Sequence, residues 1–195
     1  MKDALSRAAR YHAVRFYDSD RSLAHIVGGL LADGLTERSP AVVIATAAHR
    51  AAIVRELVAR QHDVVELQRA GDLLLLDAQN TLDTLMSNGT VEDAKFNDVV
   101  CGIVRTACRG RVDCTVRAYG ELVDLLWKNG RQDSAVRLEM LWNQLTISEP
   151  FSLLCGCAMG HCFNDARFNE VRRLHTHVIS ADGTSEHVAG AASCI

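Results

Sequence analysis

The chain has 195 residues, 48% of them hydrophobic, and a formal net charge of −3. That is the size of one domain with a substantial core, and the near-neutral balance gives no sign of the basic face that nucleic-acid binding would need, although a local patch is compatible with it; no direct contact with nucleic acid is expected. The first fifteen residues hold no apolar run of signal-peptide length, and the longest apolar runs, Leu73–Leu76 and Leu153–Gly160, are too short to span a bilayer; no membrane role is expected, and the expected location is the cytoplasm.

Strand and helix patterns alternate along the chain. His12–Tyr17 is short and aromatic and predicts a strand; Asp18-Ser19-Asp20 can then cap a helix. Leu23, Ile26, Val27, Leu30, Leu31 and Leu35 fall on one face of that helix. After Pro40, Ala41–Thr46 reads as a strand buried on both faces. Ile53, Val54, Leu57 and Val58 mark a second helix, and Val64–Leu67 reads as a short strand. Gly71-Asp72 is a turn before a third buried strand, Leu73–Asp77. Asn80 with Asp83 resembles a capping box for a helix ending near Asn88-Gly89. Thr90 with Asp93 opens the next, with Phe96, Val99, Val100, Ile103, Val104 and Ala107 on its apolar face.

Cys114–Ala118 predicts a strand, Leu122–Trp127 a helix ending at Asn129-Gly130, and Ala135–Leu145 a helix with Leu138, Leu141, Trp142 and Leu145 on its stripe. Phe151–Cys157 reads as a strand, Ala166–His175 as a helix, and His177–Ile179 as a late strand. The segment after Ser180 is small and polar, and poor order is expected there. This alternation predicts an α/β fold with right-handed crossovers and a mostly parallel sheet covered by helices on both faces.

Such a fold invites a test for nucleotide binding. A phosphate-binding loop needs Gly-rich backbone and a Lys. The loop after the first strand, Tyr17–Ser22, has no Gly and no Lys, and it carries Asp18 and Asp20 where phosphates would lie. No Walker A motif occurs, so ATP is not expected as a cofactor. Leu73–Asp77 has the look of a Walker B strand, but any buried strand ending in Asp gives that signal.

Arg117-Ala118-Tyr119-Gly120-Glu121 lies where a strand ends and a helix begins, which is where open α/β sheets bind ligands. Arg117, Tyr119 and Glu121 could line such a crevice. Equally, Arg117 and Glu121 could pair with neighbours while Tyr119 packs over the sheet edge. His49 sits at another strand-to-helix turn, as a ligand contact or as part of the helix's first turn. His12, His25 and His62 read as surface or rim residues.

The seven cysteines are an odd number, and the chain is large enough to fold without disulfides, so a reduced state is the default expectation. Cys155 and Cys157 on one strand point to the same face. With His161 and Cys162 they form a candidate transition-metal or thiol redox centre, and His175 and His177 follow one residue apart. The plainer reading makes Cys155 and Cys157 small core residues. Cys101, Cys108 and Cys114 read as structural, and Cys194 as an exposed thiol in the tail.

The segment VRAYGELVDLLWKNGRQDSAVRLEMLWNQL followed by FSLLCGC resembles the MEDS domain, the sensory domain named for methanogens, methylotrophs and the dichloromethane-responsive repressor. HAVRFYDSDRSLAHIVGGLLADGL, VVIATAAHRAAIVREL, GDLLLLDAQNTLDTLM and FNEVRRLHTHVIS agree with its other units, the last with a closing histidine pair. Cys157 and the Gly160-His161-Cys162 turn depart from the family's pattern at that strand end. The resemblance implies a three-layer relative of the KaiC/RecA fold without a phosphate loop and a role in sensing small hydrocarbon derivatives. It supplies no catalytic residues.

The expected layout is a sensory domain over residues 11–180, an N-terminal extension over 1–10 and a flexible tail over 181–195. The expected function is a stand-alone, non-catalytic sensor with a crevice lined by Tyr17, His49, Arg117, Tyr119, Glu121 and Trp142. It would regulate a separate partner such as a histidine kinase, a sigma-factor regulator or a transcription factor, either as a monomer or as a homodimer. The alternatives are a Cys/His metal or thiol sensor at Cys155, Cys157, His161 and Cys162, and a non-catalytic interaction adaptor.

Overall fold

The computed structural model describes residues 10–162, 168–180 and 183–188. The elements run β1 (His12–Tyr17), α1 (Asp20–Thr36), β2 (Ala41–Ala45), α2 (Ala47–Ala59), α3 (Val64–Ala70), β3 (Leu73–Asp77), α4 (Ala78–Leu85), the hairpin β4 (Met86–Ser87) and β5 (Thr90–Val91), then α5 (Asp93–Cys108). The second half adds β6 (Val116–Gly120), α6 (Leu122–Lys128), α7 (Gln132–Ser148), β7 (Phe151–Ala158), α8 (Met159–Cys162), α9 (Phe168–Arg173), β8 (His177–Ile179) and β9 (Ser185–His187).

The main sheet has seven strands in the order β3-β2-β6-β7-β1-β8-β9. All neighbours are parallel except β8 and β9. Side chains alternate between two cores, as a pleated strand requires. Ala13, Tyr17, Val43 and Tyr119 join Leu23, Val27, Ile53 and Leu57 from α1 and α2. Val14, Val42, Ile44 and Ala118 join Phe96, Leu126, Leu138 and Trp142 from α5, α6 and α7. Helices therefore cover both faces, giving three layers. Burial on both faces explains why β2 and β6 are buried at all five positions, and why AVVIA reads as a continuous apolar run.

β2 feeds α2 on one face, while its neighbour β6 feeds α6 on the other. The chain departs in opposite directions from the ends of these strands, the arrangement at which open α/β sheets bind ligands.

Several local expectations are corrected. Val64–Leu67 belongs to a helix: the Asp63 side chain accepts from the Glu66 N–H, and Gly71 closes the helix in the left-handed region at φ 72°. Here the two ends override the β-branched pair Val64-Val65. The cap of α4 is Asp77, which accepts from the Asn80 N–H, and not Asn80 with Asp83. Asn88-Gly89, both at positive φ, turn the β4–β5 hairpin instead of ending a helix. α5 starts after Glu92, not at Thr90.

Cys108 and Cys114 are joined in a disulfide across a Cα–Cα distance of 5.7 Å, which pins the end of α5 to the approach to β6. Cys157 is also disulfide-bonded. The reduced state expected of the cysteines therefore fails at these positions, while Cys101 and Cys155 are free thiols. Within the segment read as a flexible tail, Ser185–His187 pair with β8. Residues 1–9, 163–167, 181–182 and 189–195, with Cys194 among them, lie outside the described residues. Among the described residues no helix is long and apolar enough to cross a membrane.

Candidate functional site

At the carboxyl edge, four of the six expected crevice residues come together around Glu121. Its carboxylate is 2% exposed. One oxygen accepts from the Thr46 N–H at 2.9 Å. The other accepts from the Tyr119 hydroxyl at 2.8 Å and from His49 Nδ1. Tyr17 lies edge-on to the His49 ring, with centroids 5.8 Å apart. His49 Nε2 faces outward to Asp20, 3.3 Å away on an exposed side chain. Each position has a local cause: Thr46 follows β2 as the N-cap of α2, His49 lies in the first turn of α2, and Asp20 opens α1. Gly156 faces the Tyr119 hydroxyl so closely that a Cβ there would collide with it.

The charges in this cluster are coupled. The hydrogen bond to Glu121, aided by Asp20 against the opposing effect of burial, raises His49 to about 9. Burial, then Asp124, Glu121 and Asp20, push the Tyr17 hydroxyl well above its ordinary value. Burial followed by Glu121 does the same to Tyr119. Asp20, Glu121 and Asp124 are the acidic groups that surround these rings. Beside His49 a depression of about 360 Å³ opens between α1 and α2. Ala24, Ala48 and Ala52 give it an apolar wall, and Asp20, Arg55 and Glu56 a polar rim.

Arg117 and Trp142 do not join this edge. Arg117 sits at the amino end of β6, level with Ala41, with its guanidinium 3.7 Å from Glu37 and over the Tyr11 ring. It is four residues before Glu121, and the strand's rise carries it toward the opposite edge. Trp142 is core: it packs edge-on to Phe96 and stacks on Phe151. Asp77, at the end of the strand that looked like a Walker B motif, caps α4 and pairs with Arg50 at 2.8 Å.

The cysteine constellation is rearranged. Cys155 and Cys157 do share a face, both in the core with Val14 and Trp142. Cys157 is spent in its disulfide. His161 and Cys162 lie in the short α8, and their side chains fall outside the described ones. Cys155 instead meets His12, Glu139 and His175, whose ligand-type atoms all lie within 4.8 Å of one another. His12, read as a rim residue, is fully buried, as is His175.

His12 and Cys155 point from β1 and β7 to the face covered by α7, which brings Glu139. His175 arrives from the turn between α9 and β8. Burial raises the Glu139 carboxyl, but the charges and hydrogen bonds of His175 and His12 outweigh it and hold the group down to about 2. Burial, then the neighbouring His175, lower His12. Burial, then Glu139, push the Cys155 thiol well up. His12, Glu139 and His175 were missed because their spacing in sequence carries no motif. The available signal was an acid beside Leu138 on an otherwise apolar stripe.

Fold and sites define a class: a three-layer α/β domain whose carboxyl edge carries a carboxylate–imidazole–phenol cluster. The particular family follows from comparison. Residues 11–176 match the family described as MEDS, the MEthanogen/methylotroph, DcmR Sensory domain. The chain belongs to the MEDS family and is a sensory domain. No curated protein matches it.

Proposed function

We propose that this domain senses a small, weakly polar hydrocarbon derivative at the carboxyl edge, without catalysing a reaction, and passes the signal to a separate regulatory protein. The reading rests on the family's sensory character and on one observation: His49 joins the open depression to Glu121, and through it to Thr46 at the cap of α2 and Tyr119 in the sheet. A ligand with a hydrogen-bond acceptor would take His49 Nε2 from the exposed Asp20, and its carbon skeleton would lie on Ala24, Ala48 and Ala52. The small, half-apolar volume suits a compact guest. The strand order, with its antiparallel last strand, supports the kinship with KaiC/RecA. A histidine kinase, a sigma-factor regulator or a transcription factor is the partner class such a domain would serve.

The adaptor reading draws less support. The exposed Val58, Val65, Met140 and Ile147 are spread over α2, α3 and α7, and apolar residues exposed singly need no partner.

The test is a thermal-shift panel with methanol, ethanol, methylamine and dichloromethane on the full chain and on His49→Ala. At least one probe should raise the Tm saturably for the full chain and fail on the variant. Equal responses of the two chains, or no saturable response, would reject the reading.

A further inference from the structure

We propose that His12, Glu139, Cys155 and His175 form a closed site for one divalent transition-metal ion of the zinc type. The site is separate from the carboxyl edge, and its success or failure leaves the ligand reading untouched.

The hydrogen bonds around the site fix which nitrogens are free to bind. Asn143 donates its amide N–H to the Leu174 carbonyl at 2.6 Å, so its Oδ1 is the atom turned to His12 Nδ1, 2.9 Å away. An oxygen can only accept, so Nδ1 of His12 carries the hydrogen. His175 Nδ1 likewise donates to the Val171 carbonyl at 2.8 Å. In neutral rings both Nε2 atoms are then bare lone pairs. They point at the same carboxylate oxygen, Glu139 Oε2, at 3.1 Å and 3.3 Å. His175 Nε2 is buried and has that carboxylate oxygen as its one polar neighbour among the described contacts. Cys155 Sγ completes the group, 3.3 Å from His12 Nε2 and 3.9 Å from Glu139 Oε2.

Two lone pairs, a carboxylate and a sulfur converge in a space sealed from water, and such a set calls for a cation. The spacing suits one. A tetrahedral zinc with bonds of about 2.0–2.1 Å to nitrogen and oxygen and about 2.3 Å to sulfur has ligand–ligand edges of roughly 3.3–3.6 Å. The charge also balances: a dication with one thiolate, one carboxylate and two neutral imidazoles leaves the buried site neutral. On binding, the metal–sulfur bond replaces the Cys155 S–H bond and the proton leaves to solvent. Asn143 and the Val171 carbonyl provide the outer hydrogen bonds that orient metal-bound histidines. With four protein ligands no position is left for substrate, so the ion would tie β1, β7, α7 and the entry to β8 together.

The experiment loads the chelator-stripped full chain with Co²⁺ or Zn²⁺ and removes excess metal. The expected result is one ion per chain by native mass spectrometry, with a thiolate-to-cobalt charge-transfer band that Cys155→Ser abolishes and Cys101→Ser keeps. X-ray absorption of the Zn²⁺-loaded full chain, which needs no variant to fold, should show one sulfur and three nitrogen or oxygen neighbours. Retention of far less than one ion per chain, or a metal shell without sulfur or with more than one, would overturn the proposal.

Discussion

Replacing Glu121 with Gln removes the charge that holds His49 protonated while keeping the shape of the side chain. His49 is raised from 6.5 to about 9 in the folded chain, chiefly by the hydrogen bond to Glu121. At about 1.4 kcal/mol per tenfold change, that corresponds to roughly 3 kcal/mol of preference for the charged ring. Screening from the open side toward Asp20 reduces it to about 2 kcal/mol. Because the folded value lies above the unfolded one, this stabilisation is fully present below pH 6.5 and is lost as the pH rises through about 9. Urea denaturation from pH 6 to pH 10, with the His49 ring followed by NMR, measures both sides of the linkage. The full chain should lose about 2 kcal/mol more than Glu121→Gln over that range, and the variant's ring should titrate much nearer its ordinary value. Parallel stability curves for the two proteins, or an unchanged His49 titration in the variant, would refute the reasoning.

Other outcomes follow from the packing. Gly156→Ala should cost about 1–3 kcal/mol by pressing on the Tyr119 hydroxyl, and less in a Tyr119→Phe background, a coupling that a double-mutant cycle measures. Replacing Cys108 and Cys114 together by Ala should cost about 2 kcal/mol in urea denaturation, since the bond closes a short loop. Trp142→Phe should lower the Tm by opening a gap between Phe96 and Phe151, while the His49 titration stays as it is. A His49 shift in that variant would return Trp142 to the ligand crevice.

Much of the architecture was legible in sequence because it rests on local patterns. The apolar run AVVIA marks a strand buried throughout, and the spacing of Leu23, Val27 and Leu31 a one-faced helix; LLLLD marks a strand too, but at the sheet's edge it is buried only at Leu73 and half-buried beyond it. Val64–Leu67 misled because two valines suggested a strand while Asp63 and Gly71 fixed the ends of a helix. At the carboxyl edge Tyr17, His49, Tyr119 and Glu121 could be placed from strand ends alone. Arg117 could not, because the strand was read as ending too early: β6 runs to Gly120, which puts Arg117 near its start. The buried His12–Glu139–Cys155–His175 group was hidden for a different reason. Its members come from β1, α7, β7 and the turn before β8, and only the pairing of β1 with β7 under α7 brings them together.

The sensing account is tested most directly by the His49 and Tyr17 ring resonances of the full chain, recorded while titrating whichever panel compound raises the Tm. The account predicts that both rings move together and saturably, that Glu121→Gln weakens the effect, and that the His12 and His175 rings stay still. Saturable movement confined to His12 and His175, with His49 and Tyr17 unmoved, would contradict it.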